Sequence, residues 1–171
     1  MIKRREALSS PSSSAEPLAL AAAAKAANPR LGPELQQLWF TLLRESWSTL
    51  VIMPSHAGGS SIELSRALAE VGRMHRGSPP MVIDARGTEL GRATHLIIDM
   101  STHVDNGGIV LIAADAVVEN QVGIPLALAA NAVLLTVTLG HADLASAERT
   151  LELLGRQRIL GCVTVPAVEA R

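Results

Sequence analysis

Residues 49–74 read TLVIMPSHAGGSSIELSRALAEVGRM. This stretch decides the fold. Thr49 to Met53 is a short apolar run of the kind that fits a buried strand, and Pro54 to Ser61, PSHAGGSS, is a loop rich in small residues. From Ile62 the period changes from continuous to helical. Leu64, Ala67, Leu68 and Val71 fall on one side, and Glu63, Arg66, Glu70 and Arg73 on the other. A strand, a glycine turn and an amphipathic helix in that order form the first half of a crossover unit. The chain on either side repeats the alternation. Upstream, Pro33 and Glu34 open a helix whose Leu35, Leu38, Trp39, Leu42 and Leu43 recur at helical spacing. Downstream, Met81 to Asp84 predicts a second strand, and Leu90 to Val104 a helix stopped at Asn106-Gly107-Gly108. Ile109 to Ala113 predicts a third strand, Gly123 to Ala130 a short helix, and Ala132 to Thr138 a fourth strand. Asp143 caps a helix that Gly155 ends, and Ile159 to Val165 predicts a fifth strand. Regular alternation of this kind predicts a three-layer α/β fold with a mainly parallel sheet of five or more strands, because parallel neighbours require crossover segments.

Composition agrees. The chain has 171 residues, enough for one core, and 48% of them are apolar while aromatics make up only 2%. The core must therefore be built from Leu, Ile, Val and Ala, the residues of a parallel sheet under aliphatic helices. A net charge of −1 supplies no field for nucleic acid or anionic lipid, so neither is expected as a partner. The one cysteine, Cys162, cannot form an internal disulfide, which predicts a reducing, cytoplasmic compartment. Residues 1–32 are Ser-, Pro- and Ala-rich and read as a flexible tail ahead of a domain spanning 33–171, with an Ala run at 19–27 as its one helical candidate. Met1 to Glu6 is basic but no apolar core of a leader follows it. The apolar stretch Leu18 to Ala24 is far short of the roughly 20 residues a spanning helix needs, so no direct membrane insertion is expected.

Ligands in open parallel sheets bind beyond the carboxyl ends of the strands. The loop after the first strand has the phosphate-cradling form: a Gly-rich turn, then positions for Lys and for Ser or Thr at a helix start. Backbone N–H groups there hold phosphate, the Lys offsets its charge and the hydroxyl holds Mg²⁺. Gly59 and Ser61 fit that form. Pro54 stands where the first Gly belongs and Ser60 where the Lys belongs.

The chain from Pro33 to Val165 resembles the cytoplasmic domain of bacterial tyrosine kinases and their relatives in capsule and exopolysaccharide export, a branch of P-loop ATPases shared with the partition and septum-site ATPases. The resemblance is carried by ELQQLWFTLL (34–43), TLVIMPSHAGGSS (49–61), MVIDARG (81–87), GIVLIAADAVVENQVGIPLALAANAVLLTV (108–137) and TLELLGRQRILGCVTV (150–165). It implies a P-loop fold, ATP and Mg²⁺ as the cofactors if any are kept, a membrane polysaccharide co-polymerase or export protein as partner, and homo-oligomers. The functional residues are mostly replaced. Asp84 matches the first Asp of the second acidic motif, but Arg86 stands at the second. Ala113 occupies the metal-binding Asp position of the third strand. Asn131 stands where an Asp is common, and Val165 where an Asn near the base is frequent. Gln37 and Phe40 replace arginines of the ring-forming relatives, and the tyrosine-rich tail is missing, since the chain has no Tyr.

The expected site is therefore vestigial: Gly58, Gly59, Ser60, Ser61 and Asp84 as a weak phosphate or nucleotide cradle, with no catalytic residue and no metal site. The implied role is a non-catalytic or weakly nucleotide-binding component of polysaccharide export, located in the cytoplasm or held at the inner membrane through its partner. Its rival is an active ATPase or tyrosine kinase with a remodelled P-loop. Two further readings stay open on the residues. Asp99, in HLIIDM, is the metal-binding Asp if Leu96 to Ile98 is a strand, and Arg86, Arg66 or Arg73 replaces the missing Lys if one reaches the loop. A dinucleotide oxidoreductase is disfavoured because no GxGxxG follows the first strand. The five histidines lack metal-ligand spacing, and His56, although in the loop, reads as solvent-facing. Trp39 and Trp47 read as packing residues.

Overall fold

The computed structural model describes residues 32–141 and 143–166. The expected flexible tail, with its Ala run at 19–27, lies outside these residues. The described chain runs α1 (Pro33–Leu42), β1 (Thr49–Pro54), α2 (Ile62–Arg76), β2 (Met81–Asp84), α3 (Ala93–Asp105), β3 (Val110–Ala113), α4 (Gly123–Ala129), β4 (Ala132–Thr138), α5 (Leu144–Leu154) and β5 (Ile159–Val165). The five strands form one all-parallel sheet in the order β2-β3-β1-β4-β5, as the alternation predicts. Leu96 to Ile98 lies within α3, which overturns the reading of Asp99 as a carboxylate at a strand end. Its period-3.6 pattern prevails because too little chain separates β2 from that segment for a crossover.

Two cores follow from the strand period of two. Leu50 and Ile52 face α1 and α2, where they pack with Trp39, Leu42, Leu64, Leu68 and Val71. Val51 and Met53 face the opposite way and pack with Met100 of α3, Leu126 of α4 and Leu154 of α5. Every residue of β1 is buried, as expected of the central strand of a sheet covered on both faces. Trp39 and Trp47 meet edge to face at 6.1 Å beside α1, and the Trp47 indole N–H donates to the Leu42 carbonyl at 2.7 Å. Among the described residues no helix is long and apolar enough to cross a membrane.

The amino end of the sheet is locked by Asn131. Its Oδ1 accepts from the backbone N–H groups of Ser48 and Thr49 and from both of their hydroxyls, at 2.9–3.0 Å. Its own N–H donates to Thr49 Oγ1 at 2.7 Å. The position is thus a clamp between the starts of β1 and β4, at the end of the sheet away from the loop.

Candidate functional site

The loop after β1 is shorter than the sequence suggests. The strand includes Pro54, and the Ser55 N–H continues the ladder by donating to the Thr136 carbonyl of β4 at 2.9 Å. This draws Ser55 and His56 inward, and each is only 3% exposed. His56 is therefore a buried residue, contrary to its reading as a solvent-facing loop histidine. Its Nδ1 is buried with no hydrogen-bond partner among the described residues. The turn is made by Gly58, whose φ of 74° is a left-handed conformation that L side chains rarely adopt, and by Gly59. A Cβ on Gly59 would lie 2.5 Å from Pro54 Cβ, so the residue at the first-glycine position of the motif itself excludes a side chain at Gly59.

Of the expected cradle residues, Gly58, Gly59, Ser60 and Ser61 sit together at the start of α2, and several of their polar groups are bonded within the chain. The Gly58 N–H donates to Glu119 Oε1 at 3.0 Å. A carboxylate carried on the β3–α4 connection thus stands on a backbone donor that a phosphate oxygen would use. The Ser61 side chain is fully buried and donates to the Ala114 carbonyl at 2.8 Å. The Ser60 carbonyl accepts from Thr136 Oγ1 at 3.3 Å.

Asp84 closes β2, in register with Ala113 of β3, which is in turn in register with Ile52 of β1, so β3 lies between its strand and the strand that carries the loop. Arg86 holds it in a two-pronged ion pair, Nε to Oδ1 at 2.8 Å and Nη2 to Oδ2 at 2.7 Å. The side-chain hydrogen bond from Arg86 is the main reason the Asp84 carboxyl is lowered below its ordinary range, and burial opposes it. The same contact raises Arg86. The position where the motif would place a second acid thus carries the counterion of the first. Both side chains are more than a third exposed, so the pair contributes under about 1 kcal/mol to stability. Ala113 is fully buried.

Two carboxylates here escaped the sequence reading. Asp115, two residues past Ala113, accepts the Gly87 N–H at 2.7 Å and the Asn120 side-chain N–H at 3.1 Å, joining the loops after β2 and β3. The available signal was its place just past a strand end. Glu119 had no local signal, because its partner Gly58 is 61 positions away. Of the three arginines considered for the missing Lys, Arg73 pairs with Glu70 of α2 and does not line the groove beside the loop. Arg66 pairs loosely with Glu63 at 3.5 Å, and both Arg66 and Arg86 line a groove of about 1050 Å³ beside Gly58 and Ser60. The groove's other walls come from Leu35 and Leu38 of α1 and from Val163 and Val165 of β5. No group of three or more His, Cys, Asp or Glu placed to hold a metal occurs among the described residues.

No model of a known protein family matches the chain, and no match was found among curated proteins.

Proposed function

We propose that the chain is a non-catalytic P-loop-like component of exopolysaccharide or capsule export, acting in the cytoplasm by docking to a membrane polysaccharide co-polymerase. The process and the partner rest on the resemblance of residues 33–165. The loss of catalysis is supported by one observation above all, the seating of the Glu119 carboxylate on the Gly58 N–H. Phosphoryl transfer depends on a backbone cradle, a cation on the phosphates and carboxylate-held magnesium. Here the Gly58 amide is met by the chain's own anion, Ser60 supplies no cation, Ser61 gives its hydroxyl to a backbone carbonyl, and Asp84 is neutralised by Arg86. Each missing electrostatic contact of this kind costs about 3–4 kcal/mol of transition-state stabilisation, so the losses together remove turnover.

Titration calorimetry with ATP and Mg²⁺ tests the first half of this reading, and no heat of binding at micromolar nucleotide is the expected result. Micromolar ATP affinity that Ser61→Ala abolishes would overturn it in favour of a working ATPase or tyrosine kinase. The second half is tested by co-purification with a polysaccharide co-polymerase from membranes. Capture that survives nucleotide depletion is expected, and absence of capture from a strain that makes the polymer refutes the docking role.

A further inference from the structure

The groove of about 1050 Å³ lies by the carboxyl ends of β1, β4 and β5, where open parallel sheets bind their ligands. Its volume matches the upper end of the range of about 300–1,000 Å³ found for small-molecule sites. Leu35 and Leu38 of α1 and Val163 and Val165 of β5 give it aliphatic walls, and all four are half-buried. Among the described residues that line it there is no Phe, Trp or Tyr to stack on a flat ring. Glu34, Glu63, Arg66 and Arg86 also line it, so its acidic and basic side chains balance. The remaining positive bias is the start of α2. This helix is 15 residues long, and its N-cap residue Ser61 makes no side-chain cap, because the hydroxyl goes to the Ala114 carbonyl. A helix N-terminus carries about half a positive charge. One polar group of the groove is left unsatisfied by the chain itself. His56 lines it at 3% exposure, and its Nδ1 has no hydrogen-bond partner among the described residues.

We propose that the groove binds one molecule of a fatty carboxylate, with the head between His56 and the first turn of α2 and the aliphatic chain along Leu35, Leu38, Val163 and Val165. A single negative charge matches a helix terminus in a groove whose side-chain charges balance. A polyphosphate would bring several charges and meet the carboxylates of Glu63 and Glu119. A carboxylate beside His56 gives the imidazole the partner it lacks. Walls of Leu and Val suit methylenes, which gain by leaving water. Recognition of this kind is by contact and needs no long-range field, which a net charge of −1 does not supply. The site does not depend on the export role. Fatty-acid binding decides the one, and nucleotide and co-polymerase binding decide the other.

Titration calorimetry of the full chain with octanoate, decanoate and dodecanoate, each below its micellar concentration, tests this. One molecule per chain is expected, with affinity rising about tenfold for each pair of methylenes added. Dodecyltrimethylammonium, which joins the same chain to a positive head, should bind about tenfold more weakly than dodecanoate. Leu35→Asp and Val165→Asp each set a carboxylate on an aliphatic wall and should each weaken dodecanoate about tenfold or more. Arg66→Gln, at an exposed position, tips the groove toward negative charge and should weaken it a few-fold. Far-UV circular dichroism checks that each variant keeps the fold, and Arg66→Gln tests the site by itself if a wall variant unfolds. No binding, binding of many molecules per chain, or equal binding of the cationic amphiphile overturns the proposal. So does a dodecanoate affinity that every folded variant leaves unchanged.

Discussion

Replacing Asn131 by Ala should cost about 2–4 kcal/mol of stability and leave every ligand property untouched. The amide oxygen accepts four hydrogen bonds, but they are not equal. Ser48 is partly exposed, so water takes over its N–H and hydroxyl and their loss costs little. Thr49 is 5% exposed, and its N–H would be left without an acceptor. An orphaned buried donor costs about 1–3 kcal/mol, and the loss of the bond from the Thr49 hydroxyl adds about 1 kcal/mol. For a chain of this size the total corresponds to a fall in Tm of about 5–15 °C. Urea unfolding followed by circular dichroism measures it, with an unchanged m-value showing that the denatured state is not involved. Asn131→Asp keeps the acceptor and should retain most of the stability at neutral pH. A loss below about 1 kcal/mol for the Ala variant would refute the clamp.

Three other outcomes are expected. Asp84 and Asp143 both have carboxyls lowered in the fold, Asp84 by Arg86 and Asp143 by the Ser146 hydroxyl and the Ala145 N–H. Their contribution to stability is therefore present above about pH 4 and fades as pH falls through their folded values, and Asp84→Asn should flatten part of that acid dependence in urea midpoints taken between about pH 7 and about pH 3. Gly59→Ala should lower the urea midpoint, because the new methyl meets Pro54 at 2.5 Å and the turn must shift by displacing backbone. Glu119→Gln removes the resident negative charge from the Gly58 N–H, and inorganic phosphate should then bind a few-fold tighter than to the unaltered chain, read by phosphate-dependent hydrogen exchange of residues 57–62.

The architecture was legible because each element announces itself within a few residues. The continuous run Thr49–Met53, the 3–4 spacing of Leu64 to Val71 and the Asp143 cap each need only local chemistry, and α3 shows the period deciding correctly against a strand at Leu96. The site was legible only in outline. The sequence places Gly58 to Ser61 at a helix start, but not Glu119 against Gly58, since that contact depends on how the β3–α4 connection lies over the loop. His56 departs from its solvent-facing expectation for a related reason. A loop position suggests solvent, but the ladder continues through Ser55 onto Thr136 and carries the next residue inside. The pairing of Asp84 with Arg86 spans only two residues, but aligned on the P-loop motifs Arg86 reads as a lost acid and not as a counterion.

A tethered anion has a consequence for signalling. The effective concentration of the Glu119 carboxylate at Gly58 is set by the folded chain and stays fixed while metabolite pools rise and fall. On the proposed function, a partner that reads surfaces built around this turn would sense the presence of the protein and not the energy status of the cell.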